Sequence, residues 1–171
     1  MALDLSGYAD ARELFSAVRD ASAEADRTLR TLRRMEAAEG VRAQGYEPRV
    51  RGGGTDPTGM ARVDARIDYE GRMRRRVEED YELIDLGTQL IYGRESGKGG
   101  VDALLGSQYA DAMWWRFCAA ESWPVVAGQV GYSEAQARRL VDAGLDSVDF
   151  FGLSNCMGGD GVAADKGTLE S

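Results

Sequence analysis

The placement of glycine and proline constrains this chain more than any other feature. Of its three prolines, Pro48 and Pro57 share one glycine-rich stretch, Gly45 to Gly59 (GYEPRVRGGGTDPTG), and Pro124 lies far downstream. Two more glycine-rich stretches follow: Gly93 to Gly100 (GRESGKGG), and the end of the chain from Ser154 (SNCMGGDGVAADKGTLES). Glycine and proline at this density break helices and supply turns. Residues 154–171 offer almost nothing apolar to bury and are expected to form a disordered tail.

Between these breaks the pattern is helical. Apolar positions run Ala11, Leu14, Val18, Ala21, Ala25, Leu29 and Leu32, in steps of three and four. The next span gives Met60, Val63 and Ile67, then Val77, Tyr81, Ile84 and Ile91, with Glu70 and Arg74 interrupting the seam. Ala, Leu, Arg and Glu dominate both spans, and all four favour helix. Two long amphipathic helices joined by the loop 45–59 predict an all-α protein whose residues 1–92 form a coiled-coil-like helical hairpin. Its seam is expected to be core, with part left over for a homo-oligomer contact.

Composition narrows the chemistry. The 171 residues suffice for one domain or two small ones. With no histidine, His-based triads, His-ligated zinc and imidazole acid–base catalysis are all excluded. Cys118 and Cys156 cannot make a disulfide framework or a four-cysteine metal site, which points to a reducing cytoplasm. No stretch approaches the roughly 18–20 apolar residues of a membrane helix. The start, MALDLSGYADARELF, has Asp4 where a signal peptide would want Lys or Arg. No metal, cofactor or membrane partner is expected.

The net charge of -8 argues at first against nucleic acid, but it is unevenly spread. Residues 27–76 carry 13 basic and 7 acidic side chains, whereas residues 77–171 carry 6 basic and 16 acidic. Arg27, Arg30, Arg33 and Arg34 lie on the first helix, Arg49 and Arg51 in the loop, and Arg72, Arg74, Arg75 and Arg76 on the second. In a hairpin these gather toward one end. Arg49, Arg51, Arg74, Arg75 and Arg76 are candidate phosphate contacts.

The most specific motif is WPVVAGQVGYSEAQARRLVD, Trp123 to Asp142. A helix–turn–helix needs a small residue where its helices touch and, four residues later, a glycine able to turn left-handed. Ala127 and Gly131 supply them. The positions that such a unit buries are occupied by Val126, Val130, Tyr132, Ala137 and Leu140. Ser122 is placed to cap the first helix, with Pro124 in its first turn, and Ser133 with Gln136 makes a capping box for the second. Upstream, YADAMWWRFCAA (Tyr109 to Ala120) predicts a further helix whose aromatics cover the pair, completing a domain over residues 101–152.

If the second helix enters a major groove, Ser133, Glu134, Gln136, Arg138 and Arg139 are the candidate DNA contacts. Arg138 or Arg139 can pair with guanine or grip phosphate, and Glu134 can accept from cytosine. Ser133 or Gln136 can bond a phosphate or base edge at the start of the helix. Asp142 points the same way and opposes phosphate.

The order of these elements resembles phage-encoded transcriptional regulators of the RinA/ArpU type, whose C-terminal part is similar to sigma-70 region 4. The residues that carry the likeness are RGGGTDPTG (Arg51 to Gly59) and MWWRFCAAESWPVVAGQVGYSEAQARRLVDAGL (Met113 to Leu145), within a span of about residues 30–150. The resemblance implies a DNA-binding regulator of phage or prophage genes, not an enzyme, reading DNA through the helix that starts at Ser133. Where that family is richer in basic residues, this chain has Glu134, Ala135, Asp142, Asp146 and Asp149. Two other outcomes stay open: a small terminase-like DNA-packaging protein, and a protein-interaction module that binds RNA polymerase.

Two weaker motifs drop out. GRESGKGG lacks the spacing, the Ser or Thr after lysine and the preceding strand of a phosphate-binding loop. The run Glu78, Glu79, Asp80, Glu82 and Asp85 reads as a solvated helix face rather than a metal site.

Overall fold

A computed structural model describes residues 7–44, 57–95 and 98–158. Every regular element among them is helical, as the periodicity predicts; α1 spans Ala11–Gln44 and α2 spans Pro57–Tyr92. Shorter elements follow: α3 (Gly100–Leu105), α4 (Ser107–Met113) continued by a widened π turn over Trp114–Cys118, α5 (Trp123–Val130), α6 (Glu134–Phe151) and α7 (Leu153–Gly158). Contacts divide the chain into two compact units: Met1–Ala23 with Asp80–Ser171, and Glu24–Glu79. The division falls within both long helices.

The first unit holds the main core. Leu14, Phe15 and Val18 of α1, Leu90 and Ile91 of α2, Val101, Met113, Val126, Val141 and Val148 are all buried in it. Phe15 and Phe117 pack with ring centroids 5.1 Å apart. Close approaches fix the spacing of the helices. A side chain at Gly87 would meet Val18 at 2.9 Å, and one at Gly144 would overlap Met113. In the second glycine-rich stretch Gly93 and Gly100 have φ of 86° and 75°, and a Cβ on either would collide with backbone.

The N-terminus of α1 is held by α6. The Ala11 N–H donates to the Asp149 carboxylate at 2.7 Å, and Arg12 pairs with Asp142 at 2.9 Å and Asp146 at 3.3 Å. Asp142, Asp146 and Asp149, three of the acidic residues by which α6 departs from a basic pattern, thus have a structural partner. A carboxylate at a helix N-terminus satisfies a free N–H and the positive end of the dipole.

The second unit is thinly packed. Its buried side chains among the described residues are Ala25, Thr28, Leu32 and Val77. Arg66 bridges its two helical segments, donating to the Met35 carbonyl at 2.9 Å and pairing with Glu39 and Glu70 at 2.9 and 3.0 Å. Arg74 pairs with Glu36 at 3.3 Å.

Several expectations need correction. Met60, Val63 and Ile67, expected in the seam, are 63%, 54% and 60% exposed, because Arg66 and Glu70 occupy the covered face of α2 instead. Tyr81 is also half exposed. Ser154–Gly158 is not tail: α7 buries Cys156 and Met157, the Cys156 N–H bonding back to the Gly152 carbonyl at 2.9 Å. Residues 159–171 lie outside the described residues. Helix α2 starts at Pro57, inside the stretch read as loop, consistent with the tolerance for proline in a first turn.

Candidate functional site: the face of α6 and the arginine–tryptophan cavity

The turn between α5 and α6 forms as its residues dictate. Gly131 has φ 74° and ψ 28°, a left-handed conformation that costs a Cβ-bearing residue roughly 1 kcal/mol or more. Its N–H returns to the Ala127 carbonyl at 3.0 Å, and the Tyr132 N–H to the same oxygen at 3.1 Å. The Ser133 capping box is complete: the Gln136 N–H donates to Ser133 Oγ at 3.3 Å, and the Ser133 N–H donates to Gln136 Oε1 at 3.2 Å. Ser122 occupies the cap position of α5 with extended backbone, but its side chain makes no capping bond. Only its carbonyl takes part, accepting from the Val126 N–H at 2.9 Å.

Burial follows the expected positions with one exception. Val126, Ala127 and Ala137 are buried, and Val130 and Leu140 are half-buried against the core. Tyr132 is 40% exposed, because its hydroxyl bonds Gln108 Oε1 at 3.0 Å near the surface.

Ser133, Glu134, Gln136, Arg138 and Arg139 are all exposed, and so is Asp142. They are not equally available. The capping box holds Ser133 and Gln136 against each other, and Asp142 is taken up by Arg12. The Arg138 guanidinium lies 4.5 Å from the centroid of the Trp123 ring. Glu134 sits in the first turn of α6, where a carboxylate favours the helix N-terminus. Arg139 has no ion-pair partner among the described residues. In the second unit Arg75 and Arg76 are exposed, whereas Arg74 is paired with Glu36; Arg49 and Arg51 lie outside the described residues.

The periodicity did not anticipate Arg116. The expected helix from Tyr109 to Ala120 widens at Trp114: the Ala119 N–H reaches back to the Trp114 carbonyl at 3.0 Å, and Ala120 turns left-handed at φ 55°. One extra residue per turn rotates Phe117 and Cys118 into the core and leaves Arg116 beside Trp123, its guanidinium 4.4 Å from the ring centroid. Arg116 Nη1 donates to the Glu121 carbonyl at 2.9 Å. Burial lowers its affinity for a proton, and the charges of Arg19 and Arg138 lower it further. An arginine inside the apolar run WWRFC was the available signal.

No family model, curated protein or solved structure matches this chain. Its function has to come from these side chains themselves. Among the described residues no group of three or more acidic or cysteine side chains could hold a metal, and no helix is long and apolar enough to cross a membrane. Cys118 and Cys156 are buried thiols pushed up to about 11 by burial, the opposite of an activated nucleophile.

Proposed function

We propose that this protein is a sequence-dependent DNA-binding transcriptional regulator, of the phage or prophage kind its sequence resembles. In this reading α5 and α6 form a helix–turn–helix, and α6 is the helix that enters the major groove. The observation that carries the reading is the joint between them. A left-handed Gly131, a buried Ala127 and a completed Ser133 capping box leave one face of the first two turns of α6 exposed, with Arg138 and Arg139 on it. Such a joint presents the N-terminal half of a second helix to a groove. Arg139 is the stronger candidate for a base contact; Arg138, stacked on Trp123, is better suited to phosphate.

The reading makes it a cytoplasmic binding protein rather than an enzyme, with RNA polymerase as a further candidate partner. Residues 1–92 would then act as the helical hairpin that carries the reader. The exposed arginines of the second unit would add sequence-independent attraction for the backbone.

The test is to select bound fragments from a genomic library with the wild-type chain and with Arg138→Ala plus Arg139→Ala. The double variant should recover few or none of the wild-type fragments. Equal recovery would remove α6 as the reader.

A second reading has one observation in its favour. The exposed Met60, Val63 and Ile67 form an apolar stripe of the kind that subunits cover in an assembly, and a small terminase-like packaging protein would use it to build a ring. Native mass separates the two. A monomer or dimer fits the regulator; a ring of many copies fits packaging.

A further inference from the structure

Beside the exposed face of α6 is a cavity of about 270 Å³ within the first unit, lined by Arg116, Trp123, Arg138, Phe117 and the Arg12–Asp142 pair among others. Its charge is not balanced. Asp142 contributes a carboxylate, but that carboxylate is held by Arg12 at 2.9 Å, and Arg12 shares its other nitrogen with Asp146. Neither Arg116 nor Arg138 has a carboxylate partner among the described residues. Both guanidinium groups instead rest within 4.5 Å of one indole ring. The nearby Arg19 adds a third positive charge, with its Nε buried and without a hydrogen-bond partner among the described residues.

Two like charges converging on one ring repel each other, and cation–π attraction is worth only about 0.5–2 kcal/mol apiece. The arrangement is one that an anion would relieve. Planar guanidinium groups donate in pairs and match the oxygens of phosphate better than they match a spherical ion. Contact with Trp123 restrains each guanidinium, and apart from the Arg116 Nη1 that donates to the Glu121 carbonyl their N–H groups are left for a ligand. The apolar floor of Phe117, Val141 and Leu145 keeps the local dielectric low, which strengthens such a contact.

We propose that this cavity is a phosphate-binding site, in which Arg116 and Arg138, held on Trp123, clasp one phosphate group. The group has two sources: the backbone of a DNA duplex lying along α6, or a free phosphorylated small molecule. The first source rests on the DNA-reading function proposed above; the site itself does not.

The experiment uses the full chain and inorganic phosphate as probe. Thermal unfolding is followed with phosphate and with chloride at matched ionic strength, for wild type, Arg116→Gln, Arg138→Gln and Arg94→Gln. Arg94 is exposed and does not line the cavity, so its loss controls for overall charge. Phosphate should raise the melting temperature of wild type and Arg94→Gln, and its affinity should fall about tenfold or more in the two cavity variants. Arg138 is exposed, so Arg138→Gln remains informative if Arg116→Gln fails to fold. No phosphate-specific rise in wild type, or a full rise in Arg138→Gln, overturns the site.

A second arm measures duplex binding against salt. If the phosphate belongs to DNA, Arg138→Gln reduces the slope of log K on log salt by about 1. An unchanged slope, with the phosphate response lost, assigns the site to a small phosphorylated ligand. A wild-type chain that answers to phosphate but binds no duplex removes the DNA-reading function and leaves the site standing.

Discussion

In the unit that joins residues up to Ala23 with those from Asp80, buried apolar side chains from α1 through α7 converge on one core. Between Glu24 and Glu79, the described apolar residues are more often exposed than covered. Phe15, Leu14, Leu90 and Val126 are fully buried in the first, whereas Met60, Val63 and Ile67 are each more than half exposed in the second. Polar groups differ in the same sense. Asp149 and the Ser133–Gln136 box each satisfy a helix N-terminus, while the second unit relies on ion pairs such as Arg74–Glu36, both partners about 60% exposed. Exposed pairs of that kind contribute roughly 0–1 kcal/mol. One unit is held by packing, the other by helix propensity and a few charge contacts.

The largest effect should come from the packed unit. Phe15→Ala removes a fully buried ring stacked near Phe117 and should cost about 3–5 kcal/mol in denaturant unfolding. A loss below about 1 kcal/mol would mean the first unit is no better packed than the second.

Alkaline pH should weaken the same unit by a comparable amount. Cys118 and Cys156 are raised from 9.0 to about 11 by burial, so above pH 9 the unfolded chain releases protons that the folded chain keeps. Stability therefore falls between pH 9 and 11, by roughly 1.4 kcal/mol per thiol per pH unit. Tyr92 acts in the same direction: burial, then its hydrogen bond to Asp111, pushes it above the usual tyrosine range. Near-ultraviolet dichroism should report the loss, since Trp114, Trp115 and Trp123 all lie in that unit. A flat profile from pH 8 to 11 would contradict the burial of the thiols.

Smaller again is the cap of α1. Asp149→Ala leaves the Ala11 N–H without its carboxylate and should cost about 1 kcal/mol, read as a lower unfolding midpoint with unchanged slope. An unaffected midpoint would return Asp149 to the status of a mere acidic departure from the basic pattern.

The smallest effect is expected in the second unit. Ile67→Ala should change stability by less than about 0.5 kcal/mol, as exposed positions do. Unfolding followed at two protein concentrations sharpens the comparison. A larger loss that depends on concentration would show that another copy covers the stripe.

How legible the site was depends on how local each determinant is. Gly131, Ser133, Gln136 and Ala127 act within a few residues of one another, so their spacing predicts the turn, the cap and the buried alanine that the structure has. The long helices were legible for the same reason: period and the absence of proline operate along the chain. The face of α2 was not. Met60, Val63 and Ile67 look like a seam, but Arg66 finds the Met35 carbonyl and Glu39, and that partner sequence alone does not reveal.

The sequence by itself determined an all-α chain, its break points and the geometry of the α5–α6 joint, because hydrogen bonds along a helix and at its caps are local. Tertiary structure decided what the charges do. Arg12 pairs with Asp142 and Asp146 across more than a hundred residues of chain, and a π turn brings Arg116 to the ring that Arg138 also covers. Electrostatic interaction depends on distance in space, and only the packed chain sets that distance.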